Sequence, residues 1–325
     1  MWNRGLVIGK FYPPHAGHKF LIDSALSQVK QLTVLICKVE GERPPAQLRA
    51  EWLREIHPAA NVRVIHDIGH DDDSQVWADY TRTLLGFTPD VVFTSEDYGV
   101  TYTECLRCDH VMLDRERQTI PCAGRLIRAN PFQHFEYLEP SVKAYYALRI
   151  AIVGAESTGT TTLSQALAEA YGTTWVPEYG RLYSEAKVTG SNIWSTQEFI
   201  HIAQAQNAME DQLARTADRV LFCDTNALAT AVWHERYMGH WSNAVEAISN
   251  DRRYDLYLLT DVDIPFVQDG MRDGEHIRVW MHEAFMRVLK DRGIPYLLVS
   301  GSREQRLTSA KTAIDELFGR SNRTA

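Results

Sequence analysis

Two stretches carry residues whose types and spacing suit phosphate chemistry. In the first, Gly9 and the pair Pro13-Pro14 lead to His15 and His18, three apart, just where a helical pattern begins. A helix N-terminus favours anions, and imidazoles placed there can donate hydrogen bonds to a phosphate. They can also stabilise charge that grows during phosphoryl or nucleotidyl transfer. An isolated pair at this spacing would more simply cap a helix, but the glycine and prolines before it favour the phosphate reading. In the second stretch, Gly154, Glu156, Ser157, Thr158, Gly159, Thr160, Thr161 and Thr162 give the frame of a G-x-x-x-x-G-K-[ST] loop. Its backbone N–H groups from Glu156 to Thr161 would form an anion-binding nest, and Thr161 would offer its hydroxyl to Mg²⁺. Thr160 stands where the loop's lysine is expected and is too short and uncharged to bridge phosphates.

Acids and bases elsewhere fit the second stretch. Asp224 closes an apolar run, the setting of a carboxylate that orders Mg²⁺ through water or accepts a proton from a substrate hydroxyl. Glu178 competes for the base role, and either acid could instead hold a structural ion pair. Arg181 follows a short strand, and Arg272 sits between Gly270 and Gly274 in a polar stretch suited to a lid. Either arginine can reach a phosphate and take the place of the missing lysine. Cys105, Cys108 and His110 suggest zinc, but no second pair of ligands lies at suitable spacing, so core cysteines are expected.

These residues need elements to hold them. Apolar runs at residues 6–8, 32–37, 62–66, 90–94 and 111–113 read as buried strands, with helices expected over 19–29, 47–56 and 74–85. A helix at 141–146 ends this half. Strands then restart at 148–153, 174–176, 219–224, 256–260 and 295–300. Strands alternating with helices predict parallel sheets, whose ligands bind at the strands' carboxyl ends. The fold class is therefore α/β with two domains, residues 1–147 and 148–325: a Rossmann-like sheet followed by a P-loop kinase-like sheet.

Composition narrows the function. A net charge of −8 argues against sequence-independent nucleic-acid binding, which needs clustered cations. There is no apolar run long enough to span a bilayer and no signal-peptide pattern, so a cytoplasmic protein with no membrane partner is expected. An odd count of five cysteines does not suggest a disulfide framework. A homo-oligomer is compatible with all of this.

Residues 9–18, read as G-x-F-x-P-x-H-x-G-H, resemble the nucleotidyltransferase superfamily signature. Together with the downstream loop, the chain is similar to the NadR family, which joins a nicotinamide mononucleotide adenylyltransferase to a ribosylnicotinamide kinase. The resemblance implies ATP and Mg²⁺ as cofactors. Nicotinamide mononucleotide and nicotinamide riboside would be substrates and NAD a product. It implies that Gly9, Lys10, Phe11 and Tyr12 border the nucleotide, with His15 and His18 at the reacting phosphates. In the family an aromatic residue near position 77 stacks on nicotinamide; Trp77 is the counterpart here, unless it is a core tryptophan. The family's I-S-x-T-x-x-R segment matches at Arg128, while Ala123 and Arg125 replace its serine and threonine. Some members carry a helix-turn-helix domain ahead of the first strand; this sequence has no room for one, so DNA binding is not expected. Two other readings remain: a nucleotide sensor with two degenerate sites, or a single-activity enzyme with one vestigial domain.

Overall fold

A computed structural model describes residues 1–70, 72–187, 193–268 and 274–321. The chain forms two compact units that divide between Val142 and Lys143. The division falls within the helix Pro140–Tyr146, a few residues before the expected boundary at 147. Among the described residues, no helix is long and apolar enough to cross a membrane.

In the first unit, strands β1 (Trp2–Gly9), β2 (Val29–Lys38), β3 (Asn61–His66), β4 (Val91–Thr94) and β5 (Asp109–Met112) form a parallel sheet ordered β3-β2-β1-β4-β5. Leu6, Val7, Leu35, Val92 and Phe93 are fully buried, as expected for strands covered on both faces. The helices are α1 (Ala16–Leu26), α2 (Ala46–Ile56), α3 (Ser74–Leu85), α4 (Tyr98–Leu106) and the short α5 (Gly124–Ala129). The chain winds outward from β1 to β3 and then returns to β4 on the other side. The switch point lies between β1 and β4, where the loop after β1 opens. The end of the first helix differs from the sequence reading. Val29 was expected to end a helix but opens β2, paired with Trp2. The β-branched side chain is buried with Leu32 and Val34, and sheet packing overrides its fit to a helical period.

The second unit, which opens on the end of α6 (Pro140–Tyr146), repeats the plan. Strands β6 (Leu148–Gly154), β7 (Trp175–Val176), β8 (Val220–Asp224), β9 (Leu256–Thr260) and β10 (Tyr296–Val299) are ordered β10-β9-β6-β8-β7, again parallel. The loop after β6 enters α7 (Thr160–Tyr171), and the short β7 leads to α8 (Tyr179–Ala186). Helices α9 (Thr196–Ala214), α10 (Ala227–Met238) and α11 (Asn243–Asn250) pack beside one another. The unit closes with α12 (Arg278–Asp291) and α13 (Arg303–Ser321). Central β6 delivers its loop between the ends of β8 and β9, so Asp224 faces the loop. Both units are α/β, as the alternation of strands and helices implied.

Candidate active sites

The first unit has a cleft of about 900 Å³ at the β1–β4 switch point. It gathers Gly9, Lys10, Phe11, Tyr12, His15, His18, Trp77, Arg125 and Arg128. His15 is the N-cap of α1, and its Nδ1 accepts the Gly17 N–H at 3.1 Å. That bond leaves the proton of a neutral imidazole on Nε2, which becomes a donor. A Cβ on residue 17 would lie 3.0 Å from the His15 ring, so glycine lets the ring fold back over the first turn. His15 stacks on His18 at 3.8 Å between centroids, and Phe11 meets His18 edge-on at 4.9 Å. Burial is the main cause that holds the His15 imidazole down at about 4, and the nearby Arg117 charge adds to it. His18 is likewise pushed well below the ordinary histidine range, first by burial and then by His15 and Arg117. Both rings are therefore neutral at pH 7 rather than cationic.

Cations of this cleft come from the loop after β1 and from α5. Lys10 pairs with Asp67 at 3.4 Å. Arg125 and Arg128 are exposed on α5, whose N-cap, Ala123, has no side-chain cap bond. Arg128 donates to the Tyr12 carbonyl, and its guanidinium lies 4.6 Å from the Tyr12 ring centre. Tyr98, on α4, donates to the Ile8 carbonyl at 2.8 Å and ties the β4 end to β1. Trp77 is half-buried: it packs against the core cluster of Ala78 and Leu106 and also lines the cleft.

The second unit has a smaller cleft of about 200 Å³. Its lining includes Gly154, Glu156, Ser157, Gly159, Thr160, Thr161, Thr162, Glu178 and Arg181. Gly154 is required by close approach, since a Cβ there would lie 2.0 Å from Thr260 Oγ1. Thr158 is buried behind the loop: its hydroxyl bonds the Ala155 carbonyl at 2.6 Å and meets Thr260 Oγ1 at 2.7 Å. The Thr161 hydroxyl donates to Asp224 Oδ2. The other oxygen, Asp224 Oδ1, is buried without a hydrogen-bond partner. Burial raises the Asp224 carboxyl above its ordinary range, opposed by its bond from Thr161. Glu178, just ahead of α8, is pushed up to about 8, first by burial and then by the charge of Asp224, with Arg181 opposing. Among the described residues lining this cleft, Arg181 is the only lysine or arginine; it pairs with Glu185 at 3.0 Å. Arg272, expected in a lid, lies outside the described residues.

Several residues escaped the sequence reading. Trp194, Phe199, Trp233 and Tyr237 line the far wall of the second cleft, with Trp233 and Tyr237 stacked at 6.0 Å. They come from α9, α10 and the approach to α9, so no local spacing brings them together. Arg306, buried on α13, braces the loop after β6 by donating to the Thr158 carbonyl at 2.8 Å. In the first cleft, Arg117 stands opposite Glu96 at 3.4 Å in a loop held by Asp114, which accepts the N–H groups of Thr119 and Ile120. The positive φ of Arg117 and Asp114 marks that tight turn, and no sequence signal pointed to it.

Residues 149–306 match the AAA domain family. Over a longer span, the chain is 31% identical to the trifunctional NAD biosynthesis/regulator protein NadR of Salmonella typhimurium (strain LT2). That match covers 91% of this chain and 78% of that protein. The chain belongs to the NadR family. The NadR of Escherichia coli (strain K12) is also 31% identical, over 82% of this chain and 71% of its own length. A crystal structure of NadR with NAD and AMP-PNP has the same fold, with a TM-score of 0.78 at 21% identity and coverage of 98% and 97%. A second, with NR, gives 0.80 at 20% identity and coverage of 98% and 96%.

The depressed His15 pKa has a measurable consequence. Between about pH 6.5 and pH 4 the unfolded chain binds a proton at His15 that the folded chain refuses, so stability falls as the pH falls through this window. An NMR titration, assigned with His15→Gln, should place the His15 imidazole near pH 4. Arg117→Ala should move it upward by removing the second cause. An unshifted titration near pH 6.5 would contradict the buried, stacked arrangement.

Proposed function

We propose that the chain makes NAD in two steps. The second unit transfers the γ-phosphoryl group of ATP to the 5′-hydroxyl of nicotinamide riboside. The first joins the resulting mononucleotide to the adenylyl group of another ATP. The observation that carries this reading is the pairing of two different phosphate sites on two similar sheets: stacked neutral imidazoles in one, and buried carboxylates facing a glycine–threonine loop in the other. The NadR relatives, named for NAD biosynthesis, and the NadR structures in complex with NAD and AMP-PNP or with NR support the choice of substrates.

In the first unit a phosphate oxygen of the mononucleotide attacks the α-phosphorus of ATP, and the bond to the departing pyrophosphate breaks. No side chain needs to become a nucleophile. The protein contributes positioning and charge stabilisation. His15 Nε2–H and His18 serve as donors to the reacting phosphates, while Lys10, Arg125 and Arg128 carry the triphosphate. Trp77 offers its cleft-facing side to the nicotinamide ring.

In the second unit the riboside hydroxyl attacks the γ-phosphorus and loses its proton to a carboxylate, while the bond from the γ-phosphorus to the departing ADP breaks. Glu178 suits that role, because burial brings its affinity for protons close to the working pH. The ring walls Trp194, Phe199, Trp233 and Tyr237 suit a flat, positively charged pyridinium. A Mg²⁺ ion fits the loop: the Asp224 carboxylate takes the Thr161 hydroxyl on Oδ2 and leaves Oδ1 buried without a partner, and hard oxygens are what this ion takes. Thr161 and Asp224 would hold it, and it would supply positive charge to the ATP phosphates.

Separate assays test the two halves. His18→Ala should lower kcat for NAD synthesis from the mononucleotide by ~10²–10³, as for loss of one transition-state donor. It should leave riboside phosphorylation unchanged. Asp224→Asn should do the reverse, abolishing phosphorylation and sparing NAD synthesis. Loss of both activities in either variant would contradict two independent sites.

The missing lysine generates its own prediction. With Thr160 uncharged, Arg181 is the cation of the described lining that can meet phosphate, so Arg181→Ala should lower phosphorylation at least ~10-fold, a loss of about 1.4 kcal/mol or more. Thr160→Lys should raise it little. A large gain in Thr160→Lys would show that the lost charge is not compensated.

A further inference from the structure

A support lies beneath the first cleft, built on Arg49 and Glu42, to which neither the sequence reading nor the proposed reaction assigns a role. Arg49, on α2, is a fully buried cation. Its Nη1 donates to the Lys10 carbonyl at 2.5 Å, and its Nη2 meets the Glu42 carboxylate at 2.5 Å. The same guanidinium lies 4.9 Å from the centre of the Tyr12 ring. Arg128 lies 4.6 Å from that ring and also donates to the Tyr12 carbonyl. The Tyr12 hydroxyl is occupied too, accepting the Arg43 N–H at 3.0 Å. Tyr12 is therefore fixed by its ring, its hydroxyl and its carbonyl, and two arginines from different elements share its ring.

Burying an arginine is costly unless its hydrogen bonds are met, and replacing a buried ion pair by apolar residues is often neutral for stability. The Glu42–Arg49 pair is thus a poor source of stability but a stiff one of geometry, because the planar guanidinium bonds two groups in fixed directions while presenting a flat face. Lys10, Tyr12 and Arg128 all face the cleft, whereas Arg49 lies behind them. We propose that Arg49 is a positioning residue: through Tyr12 it sets the guanidinium of Arg128 and the carbonyl of Lys10 where the triphosphate of ATP must bind. Arg49 touches no substrate. The chain of support runs from Glu42 through Arg49 and Tyr12 to Arg128. It rests on the adenylyl-transfer reading only for the identity of the ligand.

A double-mutant cycle on the full chain tests this. Arg49→Leu, Arg128→Ala and their combination are compared for kcat/KM toward ATP in NAD synthesis and for ATP affinity by calorimetry. Loss of an outer support commonly costs ~10–100-fold, and Arg49→Leu should fall in that range. The combination should be little worse than Arg128→Ala alone, because Arg49 acts through Arg128. Riboside phosphorylation, on the other unit, should stay at the wild-type rate, and folding of the first unit is checked by the circular dichroism and thermal melt of each variant. If Arg49→Leu fails to fold, Arg49→Lys keeps the charge opposite Glu42 without the flat face and should show the same coupling at a smaller loss. Losses that multiply in the combined variant would overturn the proposal, as would an unaffected Arg49→Leu. A wild-type chain that binds ATP yet makes no dinucleotide would contradict the proposed reaction instead, and the calorimetric cycle would still decide the role of Arg49.

Discussion

Both clefts depend on one constraint: a buried parallel strand must hand its chain to a helix within a few residues of the strand's carboxyl end. At β1 the turn is closed by the His15 ring folded over Gly17. At β6 it is closed by Gly154 pressed against Thr260, with Thr158 bonded behind it. A turn this tight leaves backbone N–H groups of the helix start without internal partners, and these favour anions. The remaining site residues are arranged around those two turns: Arg128 and Trp77 at one, Asp224, Glu178 and Arg181 at the other.

An acidic chain that handles phosphates must concentrate its few positive charges or work without them. The first cleft does both. It brings arginines in from loops and α5, while burial keeps its two histidines neutral. The second cleft goes further in dispensing with charge. Its loop lacks the lysine, its described lining holds one arginine, and burial first, then the charges of Asp224 and Glu156, push Glu178 up to about 8.

Where a site was local in sequence, it was legible. His15, His18 and the glycine–threonine loop could be read because their spacing is imposed by one strand, one turn and one helix. Asp224 was equally legible, as the end of an apolar run. What escaped was assembled by topology. The aromatic wall draws on α9 and α10, and the Tyr12 support joins residues from three elements. Arg117 depends on a left-handed turn that its own residue type does not announce. At Val29 a side chain suited two periods, and there sheet packing decided.

The central claim is that one chain carries out both steps. The most direct measurement supplies the wild-type chain with nicotinamide riboside, Mg²⁺ and ATP labelled in its γ-phosphate, and follows the products by chromatography. The account predicts labelled mononucleotide appearing first and then labelled NAD, its label on the nicotinamide side. Recovery of neither product would contradict it, and so would labelled mononucleotide that never becomes NAD.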